Sequence, residues 1–229
     1  MMDAIIQRID EIRKQLPESV RFIAVTKQVS VAAMREAYAA GIRDFGESRI
    51  QETQEKQAQL QDLKDITWHL IGHLQSNKAR KAVELFQWIH SVDSLHLAQR
   101  LNEVAESLSC SPQVCLQVKL LPDANKYGWT VPELLTDLPT LDQCSYLKIQ
   151  GLMTILPMGL SESEMLAVFQ ETRDLRDRIS QQNWLNIQMH HLSMGMSQDY
   201  PLAVQAGATM VRLGRIIFGE RTQAFISQK

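Results

Sequence analysis

The stretch RFIAVTK, residues 21–27, ends a hydrophobic run with the amine of Lys27. The apolar run at 22–25 is typical of a buried strand, and the helical pattern VAAMREAYAAG starts at residue 31. A lysine in a partly desolvated site has a lowered pKa and attacks aldehydes, forming a Schiff base. The alternative is that a soluble residue simply ends the strand. This stretch alone leaves both readings open.

A second candidate stretch, HHLSMGMSQDYPLAVQAGATMVRLGRIIFGER, covers residues 190–221. Its first strand runs into the turn SMGMS at 193–197, which contains a glycine between two serines, and a helical pattern follows. Such a turn lets backbone amides approach an anion, aided by the helix dipole. One strand later Arg212 and Gly214 share a strand face, with Arg215 just beyond. Taken singly, these glycines are explained by tight turns.

The elements that position these residues are short apolar strands alternating with helical patterns. This alternation is typical of a parallel sheet. Eight such units predict a single (β/α)₈ TIM-type barrel of the α/β class over residues 1–229, with an extra N-terminal helix and no second domain. A doubly wound open sheet is the alternative, but the first strand lacks its glycine-rich dinucleotide loop. The expected strands are 21–27, 44–48, 67–73, 88–93, 113–120, 147–155, 187–193 and 210–214.

A barrel gives Lys27 a specific position. Active sites in this fold lie at the carboxyl ends of the strands. Strand alternation puts Val25 and Lys27 on one face, so Lys27 reaches the rim if Val25 points inward. Phosphate sites in barrels often form from the loops after strands seven and eight, where 193–197 and 212–215 fall. Together these features favour a ligand that is a phosphate-bearing aldehyde.

Composition restricts the class of protein. The chain is 45% hydrophobic and 22% charged with a formal charge of −2, which excludes a disordered or fibrous protein. Such a balance gives no field for nucleic acid or an anionic membrane. Residues 1–16 form an amphipathic helix, not a signal sequence, and no apolar run reaches the ~18 residues of a membrane span. Cys110, Cys115 and Cys144 fit no zinc or redox motif, so we expect reduced thiols in a cytoplasmic protein.

Seven motifs resemble those of the pyridoxal phosphate (PLP) homeostasis proteins. They are, in order, IAVTK, FGESRIQE, WHLIGHLQSNK, SVDS, GLMTI, LSMGMSQDY and VRLGRIIFGER, and they span nearly the whole chain. The resemblance implies the barrel half of bacterial alanine racemase, called fold type III, without its second domain. It also implies a PLP-binding protein that takes part in vitamin B6 and amino-acid homeostasis without substantial catalysis.

The resemblance also implies roles for individual residues. Lys27 would carry PLP as the internal aldimine. Ser193 and the backbone at Gly214 and Arg215 would hold the phosphate, and Arg212 would face the pyridine nitrogen or contact the phosphate. A cation beside that nitrogen disfavours its protonation, which suits holding PLP better than carbanion chemistry. The remaining cofactor-binding residues that it implies are Ser48, Met153 and Met194.

Two of these residues need comment. Met153 in GLMTI would lie beside the cofactor ring. Family members commonly have Asn where Ser48 stands in FGES, so this position departs from the family pattern.

Three classes of function stay open: a non-catalytic PLP carrier, a PLP-dependent amino-acid racemase of fold type III, and a Schiff-base aldolase. Racemisation needs acid/base groups on both sides of the substrate. In the resembling racemases the second group is a tyrosine from the second domain, whereas this chain ends at Lys229. Of the four tyrosines, we expect only Tyr127 and Tyr200 to lie in loops near the rim, where they could substitute for that group. We therefore expect a carrier, monomeric or weakly dimeric, with PLP-dependent apo-enzymes as candidate partners.

Two further motifs invite other functions. His69 and His73 in HLIGH would lie ~13 Å apart on a strand, too far for one metal ion. We expect His69 to be a hydrogen-bonded core residue and His73 to line the rim, and we predict no metal site. The basic cluster SNKARK at 76–81 is either a solvated helix face or an anion or partner site at the rim.

Overall fold

The computed structural model describes residues 2–123 and 126–220 of the protein. Eight parallel strands form a closed ring, because β4 pairs with both β3 and β5 and β1 pairs with both β2 and β9. The predicted barrel is therefore confirmed, and the open sheet is excluded. The ring strands are β1 (Arg21–Val25), β2 (Asp44–Glu47), β3 (Thr67–Leu70), β4 (Trp88–Val92), β5 (Gln113–Lys119), β7 (Lys148–Met153), β8 (Ile187–Ser193) and β9 (Met210–Leu213).

One short strand lies outside this ring. β6 (Trp129–Thr130) pairs only with the end of β5 and leads directly into the next helix. The sequence did not predict it, because two residues carry no alternation pattern.

Helices connect the strands on the outer face of the barrel. They are α1 (Met2–Gln15), α2 (Val31–Ala39), α3 (Ile50–Gln59), a 3₁₀ turn (Ser76–Lys78), α4 (Ala79–Leu85), α5 (Leu95–Ser107), α6 (Val131–Leu141), α7 (Glu162–Ser180), α8 (Tyr200–Gln205) and α9 (Arg215–Phe218). Side chains cap several amino termini, and Ser161 with Glu164 forms the expected capping box of α7. Among the described residues no helix has the length and apolar character needed to cross a bilayer.

The barrel wall separates two apolar regions. The larger one lies between strands and helices and includes Phe45, Leu101 and Phe169. The smaller one fills the inside of the barrel and consists of Ile23, Trp88, Cys115, Met153 and Met210. All three cysteines are free thiols, and burial raises the pKa of the Cys115 thiol to about 12.

β7 and β8 approach each other unusually closely at one glycine. A Cβ atom on Gly151 would lie 1.9 Å from the carbonyl oxygen of His191 on the neighbouring strand. The contacted atom is backbone and cannot rotate away. A side chain at this position would therefore push apart the two strands that lead to the rim residues Thr154 and Ser193.

We predict that Gly151→Ala destabilises the fold by at least about 3 kcal/mol, through overpacking against that backbone. Urea unfolding followed by circular dichroism measures the change. Gly159→Ala is the matched control, because Gly159 has φ +86° but a Cβ there would meet no atom within 4 Å. It should cost only about 1 kcal/mol, from the left-handed backbone alone. Equal costs for the two variants would contradict the predicted strand contact.

Candidate functional site

A cavity of about 440 Å³ opens at the carboxyl ends of the barrel strands. This volume is in the range of sites that bind small molecules. Residues from the ends of five strands, β1, β3, β7, β8 and β9, meet there, and they include one lysine, two arginines and two carboxylates. The lining residues are Val25, Lys27, Ile71, Ile155, Met196, Ser197, Gln198, Asp199, Arg212, Gly214, Arg215 and Glu220.

Lys27 lies in this cavity because of strand alternation. Ile23 belongs to the interior cluster, and Val25 and Lys27, two and four residues further on, both line the cavity. The Lys27 side chain is half-buried. The amine of Lys27 therefore lies at the barrel rim, as its position in the sequence predicts.

The backbone on either side of Lys27 is held by charged side chains of α3. Lys56 Nζ donates to the carbonyl oxygen of Thr26 at 2.6 Å, and the backbone N–H of Gln28 donates to Glu52 Oε1 at 2.6 Å. Lys56 Nζ also donates to Glu52 Oε1 at 2.7 Å, which joins the two contacts. Gln28 has φ +60°, a conformation that costs a non-glycine residue energy and needs such support. This clamp fixes the direction in which Lys27 leaves the strand.

Glu47 completes the clamp from the end of β2. Its side chain is fully buried, and Oε1 accepts from Lys56 Nζ at 2.8 Å and from the Thr26 hydroxyl at 2.6 Å. Oε2 is the one buried side-chain N or O without a hydrogen-bond partner among the described residues. Burial raises the pKa of the Glu47 carboxyl, and the Lys56 ammonium opposes that rise. Lys56 is therefore the main group that favours the ionised form of this carboxyl against its burial.

We predict that Lys56→Met costs about 3–5 kcal/mol of stability near pH 8, because it leaves the buried Glu47 carboxylate without its cation. Because the folded-state pKa of Glu47 is already raised, the penalty is present above that pKa and is relieved as falling pH protonates the group. Urea unfolding near pH 8 and near pH 5.5 should show a clearly smaller penalty at the lower pH.

The matched control for that prediction is Lys81→Met. Lys81 pairs with Glu84 at 3.4 Å, but its side chain is 58% exposed. Its loss should change stability by less than about 0.5 kcal/mol at either pH. A Lys56→Met penalty that is independent of pH would show that Glu47 is not the group responsible.

Backbone amides converge on one side of the cavity. The Ser197 hydroxyl oxygen accepts from the N–H of Gly214 at 3.3 Å and from the N–H of Ile216 at 3.4 Å. Both distances are longer than the ~2.9 Å that is usual for N–H···O contacts, so these hydrogen bonds are weak. Gly195, with φ +94°, shapes the turn that delivers Ser197, and a Cβ there would lie 2.7 Å from the Cβ of Ala203. The turn thus presents amide donors to the cavity.

Arg212 provides a buried cation beside these amides. Its Nη1 donates to the Ser193 hydroxyl oxygen at 2.7 Å, and its Nη2 donates to the carbonyl oxygen of Thr154 at 2.9 Å. Burial lowers the pKa of Arg212 to about 10, and Asp199 opposes the shift, so the guanidinium stays charged at neutral pH. Burial in turn raises the pKa of Asp199. The cavity therefore combines an amine, a buried guanidinium and backbone amides that are only weakly hydrogen-bonded to Ser197.

The structure brings together only some of the residues implied by the sequence. Those that line the cavity are Lys27, Arg212, Gly214 and Arg215. The roles assigned to these four residues stay predictions. The other four, Ser48, Met153, Ser193 and Met194, are absent from the described lining.

The reasons differ among the four. Ser193 is buried and its hydroxyl already contacts Arg212 and His90. Met153 belongs to the apolar cluster inside the barrel, and Met194 is buried in the outer core. Ser48 packs so closely on Gly72 that a Cβ on that glycine would lie 2.5 Å from the Ser48 carbonyl oxygen. Sequence reasoning missed Ser197, although it lies in the same SMGMS motif as Ser193.

The two histidines of HLIGH lie where we expected. His69 is fully buried and hydrogen-bonded within the barrel. His73 lies beyond the end of β3, where it contacts Asp93 at 2.9 Å and stacks on Tyr127 with ring centroids 3.5 Å apart. In the basic cluster, Arg80 and Lys81 are exposed and pair with Glu84, which favours a solvated helix face.

Comparison with known proteins agrees with this architecture. The family model of the alanine racemase N-terminal domain matches residues 1–222. The pyridoxal phosphate homeostasis protein of Synechocystis sp. is 56% identical over 211 residues, which cover 92% of this chain and 96% of that protein. The pyridoxal phosphate homeostasis protein of Escherichia coli K12 is 35% identical, and the match covers 90% of this chain and 87% of that protein. The chain therefore belongs to the alanine racemase N-terminal domain family and, within it, to the pyridoxal phosphate homeostasis proteins.

Two solved structures extend the comparison. PipY of Synechococcus elongatus PCC7942, solved with PLP bound, is 53% identical, has a TM-score of 0.90, and is matched over 94% of this chain and 100% of its own. Alanine racemase of Clostridium difficile 630 is 17% identical with a TM-score of 0.76, over 95% of this chain and 60% of its own. At this level of identity, the similarity to the alanine racemase shows a shared fold and no more.

Proposed function

We propose that this protein binds PLP in the cavity at the barrel rim and acts in vitamin B6 homeostasis by holding and releasing it. The observation that carries the proposal is the convergence of Lys27, the Arg212 guanidinium and the Gly214 amide on one cavity of about 440 Å³. PLP offers an aldehyde, a pyridine nitrogen and a phosphate, which are complementary to these three groups. PipY, solved with PLP bound, supports the same ligand.

The residues fit each part of PLP. The amine of Lys27 is the group that bonds to the aldehyde carbon, and PLP supplies the reactive carbonyl for amine chemistry. The amides of Gly214 and Ile216, with the Ser197 hydroxyl that now accepts from them, hold the phosphate. We assign this role to Ser197 instead of Ser193, because the Ser193 hydroxyl is already bonded to two other side chains. Arg212 faces the ring.

We predict that borohydride reduction of the PLP-loaded protein, followed by peptide mass mapping, places a phosphopyridoxyl group on Lys27. Lys27→Ala should lose the visible absorption of bound PLP, because the covalent attachment is gone. Lys119→Ala is the matched control, since Lys119 also ends a barrel strand but does not line the cavity. A label found mainly on Lys119 or another lysine would contradict the assignment.

We also propose that the protein does not turn over amino acids at a useful rate. Racemisation needs a second acid/base group opposite Lys27. Neither tyrosine that the sequence offered lies in the described cavity lining: the Tyr200 hydroxyl donates to Gln15 at 2.8 Å, and the Tyr127 ring stacks on His73. The carboxylates there are Asp199 and Glu220. Asp199 accepts the N–H of Met196, which holds it as part of the turn.

We expect the PLP-loaded protein, incubated with L-alanine in deuterated water, to exchange the α-proton no faster than free PLP does. Proton NMR follows the exchange. The comparison with Asp199→Asn and Glu220→Gln identifies any base that the cavity supplies. Exchange far above that of free PLP, abolished by either substitution, would instead favour a PLP-dependent racemase.

Release of PLP requires access for an incoming amine or protein. Lys27 is only half-buried, and Met196 at the cavity edge is 37% exposed, which favours exchange with solvent. On this basis we propose PLP-dependent apo-enzymes as the acceptors of the cofactor.

A further inference from the structure

A continuous chain of buried polar side chains runs through the barrel from Arg212 to Asp44. The Ser193 hydroxyl lies 2.7 Å from Arg212 Nη1 and 2.7 Å from His90 Nδ1. His90 Nε2 lies 2.9 Å from His69 Nδ1, and His69 Nε2 lies 2.8 Å from Asp44 Oδ1. Four strands and the first residue of β2 thus contribute to one hydrogen-bonded path.

The two ends of this chain fix its direction. A guanidinium only donates hydrogen bonds and a carboxylate only accepts them. If both histidines are neutral, each donates from only one ring nitrogen, so the Ser193 oxygen accepts from Arg212 and donates its proton to His90 Nδ1. Each histidine then carries its proton on Nε2 and donates toward Asp44. This arrangement gives each of the four contacts along the path one donor and one acceptor.

Burial favours that neutral state. His69 and His90 are fully buried, and burial lowers the pKa of each, that of His90 well below its ordinary value. The neighbouring His69 and Arg212 lower the pKa of His90 further. Protonation of His90 would remove the acceptor that the Ser193 hydroxyl needs. The hydrogen-bond dipoles are therefore aligned between a cation and an anion, an arrangement in which each bond strengthens the next.

We propose that Ser193, His90, His69 and Asp44 are positioning residues for Arg212, which set the orientation of its guanidinium toward the bound ligand. The proposal rests on the proposed function in one respect, that Arg212 faces PLP. The chain begins at the cavity and ends at the amino-terminal end of β2, where the Asp44 side chain is 23% exposed and lies 3.8 Å from Arg21 Nε. Changes at His90, a residue outside the described cavity lining, should therefore alter how PLP is held.

The experiment compares His90→Leu with Ser193→Ala, a smaller change that removes only the hydroxyl oxygen. Each should weaken PLP binding to the apo-protein by about tenfold, because Ser193→Ala removes an acceptor of Arg212 and His90→Leu removes the acceptor that orients the Ser193 hydroxyl. Each should also shift the visible absorption of bound PLP. In ¹⁵N–¹H NMR spectra of the apo-protein, the slowly rotating guanidinium Nη–H signals of Arg212 should broaden or disappear.

Two variants test specificity. His90→Asn keeps an oxygen that accepts from the Ser193 hydroxyl, and it should restore PLP affinity, absorption and the Arg212 signals most of the way to the parent values. His191→Leu is the matched control. His191 is another barrel histidine that packs edge-on against Trp88, but it hydrogen-bonds Thr209 and not this chain. It should behave like the parent.

The outcomes separate the two proposals. Folded His90→Leu and Ser193→Ala proteins with parental PLP affinity, absorption and Arg212 signals would overturn the positioning role and leave PLP binding intact. An equal effect of His191→Leu would overturn it as well, because the response would then reflect general loosening of the barrel. A parent protein that binds no PLP would overturn the proposed function, and the Arg212 signals of the apo-proteins would then decide the positioning role alone.

Discussion

Polar groups inside a closed barrel must find their partners inside the barrel. The interior between the strands is filled by side chains and excludes water, so an unpaired donor or acceptor there is costly. Arg212 is 4% exposed and brings several donors into this space. Its acceptors are the Ser193 hydroxyl and the Thr154 carbonyl, and the serine in turn requires His90. The presence of one cation at the rim thus dictates the polar residues below it.

The strands and the position of Lys27 follow from local sequence. Parallel barrel strands are buried on both faces and read as continuous apolar runs, so RFIAV and its counterparts are visible without knowledge of their neighbours. Alternation from Ile23 through Val25 then places Lys27 in the cavity. The predicted ends of the strands were less accurate. We expected the third strand to cover 67–73, but β3 ends at Leu70, because Ile71 and the residues after it form the rim loop.

The partner of each polar residue could not be predicted in the same way. In the SMGMS motif, Ser193 and Ser197 are equally good candidates for a phosphate ligand. Only the three-dimensional arrangement shows that Ser193 contacts Arg212, whereas Ser197 lines the cavity. His90 lies in the stretch WIHSV, whose pattern predicts a mainly apolar strand but no partner for the histidine. Its contact with Ser193 joins residues 103 positions apart and depends on how eight strands are staggered around the ring.

Two of the three cations that line the cavity, Lys27 and Arg212, are supported from opposite faces of the barrel wall. Lys27 leaves a backbone that Lys56 and Glu52 clamp from the helix side. Arg212 is held from the interior by Ser193 and Thr154. Neither set of contacts is made by a bound ligand, so the backbone around Lys27 and the Arg212 guanidinium are ordered in advance, which lowers the entropy cost of binding. A site ordered in advance around an aldehyde and a ring retains its ligand well. Turnover would need a second proton-transfer group opposite Lys27 as well. Of the two cavity carboxylates, Asp199 already accepts the N–H of Met196 within its turn.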